Sequence, residues 1–120
     1  MDYQSKLLAT QKNYPFEKWL TYSEGDEGLE QYTRANCGAA TTIFDDLIQS
    51  LIELGEGASE DEKIALFQRA VESLNGLNDE TDLIETDERE ELCELLNQIG
   101  RAAGIEVDEE EETVTQWRDW

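Results

Sequence analysis

Histidine is absent from this sequence, and its absence excludes several kinds of reactive site. Nucleophilic sites of the Ser-His-Asp and Cys-His types need an imidazole to carry a proton. Di-iron helical bundles need Glu-x-x-His pairs, and zinc sites without histidine need a full set of cysteines. The glycine-rich motifs that bind nucleotide phosphates are missing as well. We therefore expect no enzymatic activity, no metal and no cofactor.

Cysteine is also scarce, because Cys37 and Cys93 are the only two in the chain. Two cysteines do not make a disulfide scaffold, and both lie in apolar helical contexts, so we expect buried free thiols in a reducing compartment. The first residues lack the charged and apolar regions of a signal peptide. The longest uncharged stretch, 35–44, is too short and too polar to span a bilayer. These features predict a cytoplasmic protein.

Positively charged residues are scarce as well. The sequence has 9 Lys and Arg residues against 30 Asp and Glu residues, which gives a formal net charge of −21. Nucleic acid and anionic membranes are poor ligands for such a surface, since phosphate binding requires a basic face. The expected partner is a basic protein or another cation, which this negative field would attract.

The most frequent pattern in the sequence is the helical spacing of apolar residues. The length of 120 residues suits one domain, and strand-like alternation is scarce. We predict an all-α fold, a single-domain bundle of about four to five helices over residues 1–107, followed by an acidic, tryptophan-containing tail over residues 108–120. Three stripes repeat every three or four residues: Ala40, Ile43, Phe44, Leu47, Ile48, Leu51 and Leu54; Ile64, Phe67, Ala70, Val71, Leu74 and Leu77; and Leu92, Leu95, Leu96, Ile99 and Ala103.

Small and polar residues predict where these helices begin and end. A short helix should run from Pro15 to about Tyr22, a loop should follow over 23–28, and the first long helix should span 29–54. Within the long helix, Gly38 predicts either a break or a close approach of another helix, so the helicity of residues 35–42 stays open.

The next two boundaries have clear cap signals. Gly55 is a typical C-terminal cap, and Ser59 with Glu62 fits a capping box for the second long helix. That helix should stop at its polar end, where the sequence has Asn75, Gly76 and Asn78.

The acid-rich stretch LIETDERE, residues 83–90, predicts a helix start. Thr86 or Asp87 can cap the last helix, and with Asp87 as the cap Glu90 occupies the third helical position of a capping box. Acids in the first turn are favoured by the helix dipole. A calcium loop is the weaker interpretation, because the central glycine is missing and Leu83 and Ile84 fall inside it. A carboxylate pair for acid-base chemistry remains an alternative of low specificity among so many acids.

The segment LIETDEREELCELLNQIGRAAGIE, residues 83–106, resembles the C-terminal part of small bacterial immunity-type proteins. The likeness lies in the LIET-ERE entry, the LCELLNQIG helix, the AAG turn and the Trp-Arg-Asp-Trp end. Such proteins are encoded beside secreted or contact-delivered toxins and bind the toxin in the cytoplasm. The resemblance therefore implies a cognate toxin as the basic partner, and it carries over no binding residues.

Candidate contacts come from charge and expected exposure. Asp45, Asp46 and Glu53 should line the polar side of the first long helix, where they either contact the partner or form a solvated face. Trp117 and Trp120 should either anchor a partner or fold back over the core. The expected function is neutralisation of a basic toxin, such as a nuclease, by direct association. The alternative is a DNA mimic or regulatory adaptor that occupies a nucleic-acid-binding host factor.

Overall fold

A computed structural model of the chain describes residues 2–23, 33–108 and 110–120. Residues 24–28 of the predicted loop and the predicted start of the long helix at Leu29 lie outside these residues, whereas Ser23, the first residue of that predicted loop, is helical. Within them the chain forms a short 3-10 helix, Thr10–Asn13, and five α-helices: α1 (Tyr3–Ala9), α2 (Phe16–Ser23), α3 (Arg34–Leu54), α4 (Glu60–Thr81) and α5 (Thr86–Ala102). The all-α, single-domain prediction is confirmed.

The core lies where the predicted stripes meet. Helices α3 and α4 form an antiparallel hairpin, and α1 and α2 pack against α3. The turn of the hairpin starts at Gly55, whose φ of 93° is a left-handed conformation that glycine adopts without strain. Trp19, Phe44 and Phe67 have no solvent exposure, and leucines from α1, α3, α4 and α5 surround them. Among the described residues, no helix is long and apolar enough to cross a bilayer.

Helix α3 is continuous through residues 35–42, which answers the question that Gly38 raised. Thr33 caps the helix, since its hydroxyl accepts a hydrogen bond from the Asn36 amide at 3.0 Å. A Cβ atom added at Gly38 would meet nothing within 4 Å in the described structure. Gly38 therefore does not break the helix, and it makes no close contact with another helix among the described residues.

Helix α4 extends beyond its predicted end, to Thr81, and this prediction was wrong. The side chains of Asn75 and Asn78 bond to backbone beyond the helix and do not end it. The Asn75 side chain bonds to the backbone of residues 117 and 119, and Oδ1 of the Asn78 side chain accepts from the backbone amide of Ile84 at 2.8 Å. The helix ends at Asp82, which has a left-handed φ of 53°.

Helix caps at α4 and α5 show how acids stabilise the helix starts. Ser59 caps α4, accepting from the Glu62 amide at 3.2 Å, and its hydroxyl donates to the Glu62 carboxylate at 3.1 Å. The predicted cap of α5 at Thr86 or Asp87 was wrong, because Glu85 is the N-cap and Glu88 reaches back to its amide at 3.3 Å. The capping box, Glu85 with Glu88, lies two residues earlier than the predicted pair of Asp87 and Glu90.

The chain after Val107 returns to the core. Glu110 and Glu111 are exposed, as an acidic tail should be, but Val114 is completely buried. Gly100 of α5 makes this contact possible, because a Cβ there would lie 2.8 Å from Val107 Cγ2 and 3.4 Å from Val114 Cγ1. Residues 110–120, called the C-terminal segment here, therefore pack on the bundle.

Candidate functional site

The described residues carry charged and apolar side chains at the surface of the bundle. No group of three or more His, Cys, Asp or Glu side chains in the described structure is placed to hold a metal ion. Cys37 is buried, Cys93 is half-buried, and both are free thiols. Burial raises the pKa of both thiols, which disfavours the nucleophilic thiolate. The candidate functional groups are the exposed charged and apolar side chains.

Asp45 is exposed, and its carboxylate makes hydrogen bonds within the protein. Its carboxylate accepts hydrogen bonds from the Tyr14 hydroxyl at 2.9 Å and from the Gln11 side-chain amide at 3.3 Å. The Tyr14 ring packs against Phe16 and Phe44, at centroid distances of 5.3 and 6.1 Å, and those two rings are 5.6 Å from each other. Burial, followed by the bond to Asp45, raises the pKa of Tyr14 above its usual range. Asp45 therefore ties the N-terminal helices to α3.

Asp46 and Glu53 remain exposed on α3 and line a groove between α3 and α4. Arg69 and Ser73 stand on the α4 side of this groove, and the Gln49 amide donates to Glu53 at 3.3 Å. We call it the α3–α4 groove; its lining residues are Ile43, Asp46, Leu47, Gln49, Ser50, Glu53, Leu66, Arg69, Ala70 and Ser73. Two of the three predicted α3 acids thus share one surface with apolar side chains.

Trp117 and Trp120 fold back on the bundle as half-buried side chains packed against the core. Asn75 holds this part of the chain, since its amide donates to the Trp117 carbonyl at 2.9 Å and its oxygen accepts from the Asp119 amide at 3.1 Å. The Arg118 guanidinium bonds to Glu112 at 2.6 Å and lies 5.8 Å from the Trp120 ring. The tryptophans therefore cover the core, and only part of each indole is left for a partner.

Two further acidic surfaces were not among the predicted contacts. The first lies on α5, where Glu91 pairs with Lys18 at 2.8 Å, and its acids are Asp87, Glu90, Glu91 and Glu94. The second is a cleft near the end of α5, whose acids are Glu60, Glu106, Asp108, Glu110 and Glu111. Both are charge runs of the kind that also solvate helices, so the sequence offers no signal that separates them from a binding surface. Exposed acids are thus spread over α3, α4, α5 and the C-terminal segment.

Comparison of the chain with protein-family models, with curated proteins and with solved structures finds no match in any of the three. The inference of function therefore depends on the surface of the molecule.

Proposed function

We propose that this protein is an acidic binding protein that neutralises a basic toxin by direct association. The observation that carries the proposal is the net charge of −21, displayed by exposed carboxylates on every long helix. The caps at Ser59 and Glu85 use only a few of these acids, so most of the charge is free to act at a distance. The resemblance of residues 83–106 to immunity-type proteins supports the same function.

The physical benefit of such a surface is mainly kinetic. Complementary fields speed the encounter of two proteins, up to about 10⁸–10⁹ M⁻¹s⁻¹ at low salt. Exposed charge adds less to affinity, which depends on desolvated contacts near the centre of an interface. The α3–α4 groove offers such contacts, because partly buried Ile43 and Leu66 lie beside the exposed Asp46 and Glu53.

The spread of acids gives less support to a DNA mimic. A mimic needs carboxylates arranged like a phosphate row on one face, whereas the acids here lie on several helices and on the C-terminal segment. Such a distribution favours a field that surrounds the molecule.

The test uses the product of the neighbouring gene. We expect that product to be toxic when expressed alone, to lose its toxicity when this protein is co-expressed, and to bind it with a Kd on the order of nanomolar. The control is an unrelated acidic protein of similar size and net charge, which should give no protection. If the neighbouring product is harmless, or stays toxic and unbound, the proposal is wrong.

A further inference from the structure

The α3–α4 groove is open along its length in the described structure. All of its lining residues come from α3 or α4, so no other described element lies over it. Leu47 and Ala70 are buried at its base, while Ile43 and Leu66 are only partly buried. A partner that covered the groove would therefore remove apolar surface of both helices from water, which is favourable.

The charges on the two sides of the groove are unequal. Asp46 and Glu53 lie on the α3 side, seven residues apart, so they project from the same face of the helix about 10.5 Å apart along its axis. Arg69 is the only charged residue of the lining on the α4 side. The other polar residues of the lining are uncharged: Gln49, Ser50 and Ser73.

We propose that the groove binds an amphipathic helix of the partner that carries Lys or Arg residues two turns apart. This inference rests on the proposed function and specifies the partner's binding element. A helix laid in a groove presents side chains at i, i+3, i+4 and i+7. Its apolar stripe would contact Ile43 and Leu66, and its two cations would face Asp46 and Glu53. Arg69 would repel a cation on the edge of the partner helix that faces α4. This repulsion sets the orientation of the partner helix in the groove.

The experiment uses a synthetic peptide of about 20 residues, long enough to be helical, with a Leu and Ala stripe flanked on one edge by lysines two turns apart. A scrambled peptide of the same composition tests whether charge alone is sufficient. The binding variant is Asp46→Lys with Glu53→Lys. The matched control is Glu72→Lys with Asp79→Lys, which also changes two exposed acids seven residues apart on one helix. Glu72 accepts from Gln68 at 3.0 Å, much as Glu53 accepts from Gln49 at 3.3 Å.

Fluorescence anisotropy titrations should show that the groove variant binds the ordered peptide on the order of tenfold more weakly than the wild type. The control variant should lose no more than about threefold, because its charges act only at a distance. The scrambled peptide should bind weakly to all three proteins. Equal losses in the two variants, or equal binding of the two peptides, would overturn the groove as the docking site. Neither outcome would affect the toxicity test, so a failure of this inference is distinguishable from a failure of the proposed function.

Discussion

Lys63 carries a charge into the interior with only 5% exposure. Its ammonium group donates to the carbonyls of Glu56 and Ala103, both at 2.8 Å, and lies 5.2 Å from the centre of the Tyr3 ring. Ala103 is the C-cap of α5, where carbonyls lack helical partners and favour a cation. Lys63 thus joins the start of α4 to the end of α5 and to the turn between α3 and α4.

The first prediction concerns this contact. Lys63→Met keeps most of the apolar stem but removes the donors. We expect a loss of about 2–4 kcal/mol in the free energy of unfolding, because the buried bond to Ala103 and the partly buried bond to Glu56 are both lost. Lys12→Met, at an exposed position, should change it by less than about 0.5 kcal/mol. Urea unfolding followed by circular dichroism measures both. Equal stability of the two variants would show that water replaces the Lys63 contacts.

The second prediction uses the raised pKa of Tyr14. The pKa of this phenol is higher in the folded state than its value of about 10 in the unfolded state. Its contribution to stability is therefore fully present below pH 10 and is lost as the pH rises further. Tyr14→Phe loses the bond to Asp45, which should cost about 1 kcal/mol at pH 7. Above about pH 10, the free energy of unfolding of the wild type should fall toward that of Tyr14→Phe, by up to about 1.4 kcal/mol per pH unit. The reason is that only the wild type must keep this phenol protonated in the folded state. Urea midpoints at pH 7, 10 and 11 check this, and parallel curves for the two proteins would contradict it.

The third prediction separates one glycine from the others. Gly100→Ala places a Cβ 2.8 Å from Val107 Cγ2, and a valine side chain has little rotamer freedom to move away. We expect a net loss of about 1–3 kcal/mol despite the better helix propensity of alanine. Gly76→Ala, inside α4 with nothing within 4 Å, should instead gain about 0.5–1 kcal/mol. The double variant Gly100→Ala, Val107→Ala should recover part of the loss, and thermal unfolding distinguishes these cases.

At the scale of elements, local sequence patterns were sufficient to predict the helices, but they were insufficient to predict the contacts between segments. The stripes of α3, α4 and α5 and the Gly55 cap were predictable because apolar periodicity and cap chemistry are local. The extension of α4 was not, because Asn75 and Asn78 resemble helix stops until their partners at residues 117, 119 and 84 are known.

The candidate site shows the same limit. Asp45 and Asp46 are adjacent and equally polar in the sequence, and both are exposed. Only the fold shows that Asp45 accepts bonds from Tyr14 and Gln11, whereas Asp46 lines the α3–α4 groove. Because long-range hydrogen bonds decide which of the two is structural, no spacing rule could separate them.

The fourth prediction concerns the attachment of the C-terminal segment. Asn75→Ala removes both bonds to that segment, so Trp117 and Trp120 should become more mobile while Trp19, which has no exposure, stays fixed. Fluorine NMR with fluorotryptophan should show altered shifts or line widths for two of the three indoles. Asn13→Ala, which loses a 2.9 Å bond to Gln98, is the control and should leave Trp117 and Trp120 unchanged. Changes in all three signals would indicate global destabilisation instead.

At the scale of the whole molecule, the net negative charge opposes folding and favours the binding of a basic partner. A net charge of −21 on 120 residues repels itself in the compact state, and the same charge attracts a basic partner. Salt screens both effects, since the Debye length falls from about 30 Å at 0.01 M to about 3 Å at 1 M. The two consequences of added salt should therefore have opposite signs.

The fifth prediction follows from that opposition. Raising NaCl from about 0.01 M to about 1 M should increase the free energy of unfolding measured with urea, because screening relieves repulsion among the carboxylates. Over the same range, association with the basic peptide should slow by at least about tenfold in stopped-flow measurements. The variant Glu72→Lys with Asp79→Lys should gain less stability from salt than the wild type, since it carries less net negative charge. A wild-type protein that loses stability as NaCl increases would mean that attractive ion pairs, such as Lys18 with Glu91, outweigh the repulsion.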